Sequence, residues 1–225
     1  MTMITKTINI PLDATTLIIT DFDGTVSTMD IGFEIIKKFA GDGWDKIDRA
    51  YCEGKIGSKE AYTQIAALFS ATREEMVSFV LENGRLDPYF EEFHQFCAAR
   101  DLALKIVSDG LDFYIHELLK KYSLSHIDFY ANVVRFNDGG EVIIEFPQSN
   151  NDCDLCGNCK TNILEQYRLT YENIIYIGDG YSDVCPAQKA DIVFAKDILY
   201  EKCMKNGRDC MYYADFRDIG RYLKG

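Results

Sequence analysis

Three apolar runs in this chain each end on a small polar cluster, and that repetition constrains the fold more than any other feature. Leu17–Thr20 (LIIT) leads into Asp21, Leu102–Val107 (LALKIV) into Ser108, and Asn173–Ile177 (NIIYI) into Gly178 and Asp179. Continuous apolar runs of this length read as strands covered on both faces of a sheet. Amphipathic segments separate them, and strand–helix alternation points to a parallel sheet wrapped by helices. The predicted class is therefore α/β, with a Rossmann-like, three-layer parallel sheet as its core. Ile192–Ala195 and Met211–Ala214 are shorter strand candidates. Phe129–Phe136 and Glu141–Phe146 flank Asn137-Asp138-Gly139-Gly140 and read as a β-hairpin.

Strand signals disappear between about Asp30 and Gly84. Three or four helices fit that interval, over Ile31–Ala40, Asp45–Cys52, Ser58–Phe69 and Arg73–Glu82. Thr72-x-x-Glu75 forms a capping-box start for the last of them, whereas Ser58 starts its helix without a full box. A helical block placed straight after the first strand resembles a cap over the ligand edge of an open sheet. The expected organisation is a catalytic core from residues 1–29 and 85–225 with an all-helical cap from residues 30–84. A chain of 225 residues is long enough for both.

Charge narrows the partners. A formal net charge of −12 argues against nucleic acid, which is held by clustered Lys and Arg. A small phosphorylated metabolite stays open, because local positive charge or a divalent cation suffices for it. No apolar run approaches the roughly 18 residues of a membrane helix, and Met1–Pro11 lacks the pattern of a secretory signal. Met1–Thr5 (MTMIT) resembles the leader of a common cloning-vector reporter peptide and carries no weight in the fold reasoning. Eight cysteines without a secretory signal read as reduced thiols, and a cytoplasmic location is expected. Nothing in the sequence demands an oligomer.

Four polar clusters follow strand ends or open helices, where open parallel sheets bind their ligands. In Asp21-Phe22-Asp23-Gly24-Thr25, one carboxylate can attack a phosphoryl group and a second can serve as general acid and base. Gly24 lets the backbone turn so that Asp23 points away from Asp21. The bland reading is an acidic turn, since Asp-Gly is a common turn pair. Ser108-Asp109-Gly110 offers a hydroxyl and backbone N–H groups at a helix start, an anion site. Taken alone it is better explained as an N-cap serine. Lys160 opens the helix Thr161–Arg168, a position unfavourable to a cation unless a phosphate lies near. Gly178-Asp179-Gly180-Tyr181-Ser182-Asp183 supplies two carboxylates, and Mg²⁺ typically takes one or two carboxylates with phosphate and water. Gathered together, these acids repel one another by roughly 4 kcal/mol per close pair. Such a cluster needs a cation or a proton to relieve it, and Mg²⁺ with Lys160 meets that need.

The strings DFDGT, Ser108, Lys160 and GDxxxD, in that order from Asp21 to Asp183, resemble the four motifs of the haloacid dehalogenase-like phosphatases. The resemblance implies Asp21 as nucleophile, Asp23 as acid/base, and Ser108 and Lys160 as holders of the transferring phosphoryl group. It implies Mg²⁺ on the Asp21 carboxylate, the Asp23 carbonyl and Asp179, with Asp183 supporting. The helical cap, Glu53-Gly54-Lys55-Ile56 and the Ser108-x-Gly110 turn are similar to the phosphoserine phosphatase group. Asp30 and Ile65 depart from it where its Glu and Arg bind the amino acid. Asp30, the run Ser78–Glu82, Phe90-x-x-Phe93, the cysteine-rich lead into Lys160 and Phe194–Asp197 are more similar to phosphatases acting on 2-hydroxy-3-keto-5-methylthiopentenyl-1-phosphate in methionine salvage. Relatives with a similar cysteine–lysine string act on phosphocholine and phosphoethanolamine.

Cys153-Asp154-Leu155-Cys156-Gly157-Asn158-Cys159 precedes Lys160 directly. It reads as a reduced loop that positions Lys160, with a structural Zn²⁺ site on Cys153, Cys156 and Cys159 or a reversible disulfide as the alternatives. His94, His116 and His126 have no ligand spacing and are expected on helix surfaces or edges. Asp30, Phe33, Trp44 and Ile65 are expected to line the substrate side of the cap. A phosphotransferase on the same motifs and a phospholigand- or metal-sensing module are the competing functions.

Overall fold

The computed structural model describes residues 10–137, 141–153 and 155–224. Its centre is a seven-stranded sheet built from β1 (Thr16–Thr20), β2 (Ala103–Leu111), β3 (Phe129–Phe136), β4 (Val142–Glu145), β5 (Asn173–Gly178), β6 (Ile192–Ala195) and β7 (Met211–Tyr212). The order is β4-β3-β2-β1-β5-β6-β7, with every pair parallel except β3–β4. β1 is central, with Ile18 opposite Leu104 on one side and Ile175 on the other. Successive sections of chain therefore run outward from β1 in opposite directions, and a crevice opens beyond its carboxyl end.

Alternation along β1 and β5 explains the layers. Ile18, Ile175 and Ile177 face a core with Phe90, Phe93, Leu118 and Phe216. Those residues come from α5 (Phe90–Ala98), α6 (Asp112–Lys121) and α10 (Phe216–Lys224). Leu17, Ile19, Ile174 and Tyr176 face a second core, with Ile163, Leu164, Ala187, Leu199 and Cys203. That side is covered by α7 (Lys160–Tyr167), α8 (Val184–Ala187) and α9 (Asp197–Lys205). Each fully buried Leu or Ile is worth about 1.5–3 kcal/mol over exposure, so both faces must be covered.

Helices α1 (Ile31–Phe39), α2 (Trp44–Cys52), α3 (Ser58–Ala66) and α4 (Arg73–Asn83) lie between β1 and β2 in sequence. The Thr72–Glu75 capping box is formed in both directions. The expected helix over Ser58–Phe69 is too long: α3 ends at Ala66, and Phe69 pairs with Ala40 in an antiparallel bridge. The strand expected over Met211–Ala214 stops at Tyr212. The hairpin forms with Val134 opposite Ile144, and most of its turn (residues 138–140) and the MTMIT segment lie outside the described residues. Among the described residues no helix is long and apolar enough to cross a membrane.

Candidate active site

β1, β2 and β5 end side by side, and each delivers its polar cluster to the crevice. Asp21, immediately after β1, is 5% exposed and donates its backbone N–H to the Ile177 carbonyl at 2.9 Å. The chain then turns through Phe22–Val26, with Gly24 at φ +71°, a region that favours glycine. A side chain at Gly24 would also collide with the Asp179 carboxylate. The turn carries Asp23 away from Asp21, as the sequence predicts. Asp23 accepts from the Ile31 and Gly32 amides at 2.8 and 3.3 Å and from the Tyr114 hydroxyl. Burial, reinforced by the Asp30 charge, pushes its carboxyl up to about 8 despite these donors.

Lys160 is the first residue of α7 and is 2% exposed. Its ammonium donates to Asp21 Oδ1 at 2.6 Å and to Asp183 Oδ1 at 2.7 Å. Burial lowers its basicity, but the Asp183 and Asp21 charges outweigh that and hold it charged. Asp183 is fully buried. Its Oδ1 also accepts from the Tyr176 hydroxyl at 2.6 Å, and its Oδ2 from the Asp179 and Gly180 amides at 3.0 and 2.9 Å. Asp179 accepts from Thr25 Oγ1 at 2.6 Å. Burial first, and the Asp183 charge second, raise its carboxyl to about 7. Burial and the same neighbour push Asp21 well above the ordinary carboxylate range, against the pull of Lys160.

Asp21, Asp179 and Asp183 each offer a carboxylate oxygen within 4.8 Å of the others. Ionised together beside one ammonium, they leave an excess of two negative charges. An all-oxygen donor set with that excess fits a hard divalent cation. Among the described residues Cys153, Cys156 and Cys159 form no such group: Cys153 is exposed, Cys156 half-buried and Cys159 buried. The Zn²⁺ alternative has no support in this arrangement.

The sequence expectations for the second cluster need correction. Ser108 does not cap a helix, because β2 continues to Leu111 and α6 begins only at Asp112. Its hydroxyl instead accepts from the Gly110 amide at 2.9 Å and faces Asp23 at 3.5 Å. Asp109 borders the crevice, but both of its carboxylate oxygens are taken by protein donors. Above these groups lies a cavity of 440 Å³ bounded by Asp30, Phe33 and Ile65, among others. Trp44 does not reach it and packs edge-on against Phe33.

Sequence reasoning missed Tyr114, Tyr176 and Thr25, whose hydroxyls hold the acids. The signal was available for Tyr176, since a tyrosine inside an apolar strand needs a hydroxyl partner. It also missed that His94 and His126, whose spacing suggests no shared ligand, meet edge-on with their Nε2 atoms 3.3 Å apart.

Residues 16–204 match the family model described as "Putative Phosphatase". The chain belongs to that phosphatase family. It is 30% identical over 210 residues to the 2-hydroxy-3-keto-5-methylthiopentenyl-1-phosphate phosphatase of Brevibacillus brevis, covering 91% of this chain and 93% of the relative. The enzyme of the same name from Bacillus pumilus is 32% identical over 207 residues, covering 88% and 87%. A substrate-bound phosphoserine phosphatase superposes with a TM-score of 0.69 at 26% identity, covering 92% of this chain and 97% of that one. The haloacid dehalogenase-like fold, the parallel-sheet class and phosphatase activity follow from these likenesses. The sensing-module reading is set aside with them.

Proposed function

We propose that this phosphatase hydrolyses a small phosphomonoester through an aspartyl-phosphate on Asp21, with Mg²⁺ as cofactor. The observation that carries the reading is a pair of carboxyls with different partners, Asp21 buried and Asp23 half-buried. Asp21 sits against an ammonium, while Asp23 has no cation and is pushed up to about 8. Burial favours the neutral acid at Asp21, and Lys160 together with a divalent cation would hold it ionised. The carboxylate attacks phosphorus, and Asp23 passes its proton to the departing oxygen. Asp23 then takes a proton from the water that releases phosphate from Asp21. Ser108 and Lys160 hold the phosphoryl oxygens. Mg²⁺, when bound by Asp21, the Asp23 carbonyl and Asp179, supplies charge neutralisation. Asp183 acts through the donors it binds, fixing Lys160 and the Asp179 turn. Helices α1–α4, residues 30–84, form the cap that excludes water over a core of residues 1–29 and 85–225. The thiols of Cys153, Cys156 and Cys159, left unpaired, favour a cytoplasmic enzyme.

The leaving group we infer is that of 2-hydroxy-3-keto-5-methylthiopentenyl-1-phosphate, the substrate named for the bacterial relatives. Phe33, Ile36, Ala61, Ile65 and Ile198 give the cavity an apolar wall, and none of its lining residues is Lys or Arg. A phosphoserine carboxylate would find no bidentate partner there. Asp30 and Asp48 also line the cavity, which favours phosphoethanolamine or phosphocholine as the second reading. The test is phosphate release from these four esters and an aryl phosphate, with Mg²⁺ and with excess chelator. The expected result is Mg²⁺-dependent turnover with the thioether ester preferred. A preference for either amine ester would select the second reading, and no release from any ester would overturn the phosphatase assignment.

The raised Asp179 carboxyl has a measurable consequence. A cation bound there must displace the proton, so Mg²⁺ affinity should weaken as the pH falls through about 7. Calorimetric titration between about pH 5.5 and 8 checks this. An affinity flat across that range would place the cation elsewhere.

A further inference from the structure

Asp109 spends its carboxylate on the seam between α3 and the sheet rather than on the cavity. Its Oδ2 accepts from the hydroxyl of Ser58, the first residue of α3. Its Oδ1 accepts from the Asn158 amide at 2.8 Å and from Asn132 Nδ2 at 3.2 Å. Ser58 Oγ in turn accepts from the Gly157 amide at 3.0 Å, and the Lys59 amide donates to the Leu155 carbonyl at 3.2 Å. Asn158 closes the circuit by donating to the Ser108 carbonyl at 2.6 Å. Gly57 and Leu155 approach so closely that a side chain at 57 would sit on the Leu155 carbonyl. Ser58 and Asp109 are both buried.

Three separate segments thus meet at one carboxylate: the end of β2 that carries Ser108, the start of α3, and the loop that runs through Asn158 and Cys159 into Lys160. Among the described residues, Asp109 is the one carboxylate that bonds both the helical segment and the loop leading to Lys160, beside the direct Gly157–Ser58 and Lys59–Leu155 links. We infer that Asp109 is a positioning residue, a clasp that ties the seating of α3 to the placement of Ser108 and Lys160. This rests on the phosphatase reading above. It adds that the cysteine-rich loop is the surface on which the helical segment closes, which gives that loop a role that needs no metal.

A clasp makes a demand that ordinary packing does not. With α3 unseated, the aspartyl-phosphate is open to acceptors other than water. The phosphoryl group then leaves Asp21 for the oxygen of an added alcohol, whose proton passes to Asp23. The product is a phosphate ester of the alcohol in place of free phosphate.

The experiment compares wild type, Ser58→Ala, Asp109→Asn and the double variant. It measures phosphate release with and without added glycerol, and amide hydrogen exchange at Gly157 and Asn158. The clasp is expected to cost each single variant about tenfold to hundredfold in kcat, with the double variant no worse than Asp109→Asn alone. Glycerol phosphate should rise several-fold relative to phosphate, and the Gly157 and Asn158 amides should exchange faster in Ser58→Ala. A variant that merely loosened the fold would lower both products in proportion. Additive losses in the double variant, or an unchanged product ratio, would overturn the coupling. Unchanged exchange in Ser58→Ala overturns the clasp even where no ester is hydrolysed, whereas a wild type with no phosphate release refutes the phosphatase reading alone.

Discussion

Asp21→Asn should abolish phosphate release, by roughly 10³-fold or more in kcat, while leaving the folded state at least as stable as wild type. The first half follows from the role proposed for the carboxylate, since an amide oxygen cannot form the acyl phosphate. The second follows from where the group sits. Burial first, with the Asp183 and Asp179 charges beside it, pushes the Asp21 carboxyl upward, and Lys160 opposes them. An Asn there removes a poorly tolerated charge and leaves Lys160 paired with Asp183. Urea unfolding in chelator reads the stability, and a single-turnover assay reads the chemistry. Activity and stability lost together would make Asp21 a structural acid. This opposition is the pattern of a site that trades stability for function.

Lys160→Met should have the largest effect on folding of any single change at the site. It leaves Asp21 and Asp183 buried without their cation, and stranding a buried charge costs about 3–5 kcal/mol. Asp183 keeps its Tyr176, Asp179 and Gly180 donors, so the cost falls mainly on Asp21. Adding Asp21→Asn to Lys160→Met should therefore recover part of the lost stability. Activity should stay absent in the double variant. Denaturant midpoints in chelator test this, because a bound divalent cation would stand in for the ammonium. A loss below about 1 kcal/mol would show that Lys160 is not what makes the acidic cluster tolerable.

The strand ends were legible because burial and chemistry coincide there. Leu17–Thr20 and Asn173–Ile177 are apolar enough to be central strands, and an acid one or two residues after each is conspicuous. Lys160 was legible as a cation at a helix start, where the dipole disfavours it. Ser108 was placed at a helix start because its hydroxyl and Gly110 two residues on suit one. The parallel pairing that carries β2 on to Leu111, through a shift in register against β3, is a long-range effect. Asp109 was assigned to substrate for the same reason, since its Ser58 partner lies 51 residues away. α10 had a visible pattern, with Phe216, Ile219, Gly220 and Leu223 buried at helical spacing, but it follows a weak edge strand and carries no motif. His94 and His126 meet only because α5 packs beside the loop before β3, which spacing along the chain does not reveal.

The proposed mechanism turns on a covalent phosphoryl group on Asp21. Acid quenching during turnover, followed by borohydride reduction, converts an acyl phosphate to an alcohol and so turns the phosphorylated aspartate into homoserine. Peptide mass spectrometry should find homoserine at position 21, dependent on both ester and Mg²⁺, and absent from Asp21→Asn. Brisk phosphate release with unmodified Asp21, or with homoserine at Asp23 or Asp179 instead, would contradict the account.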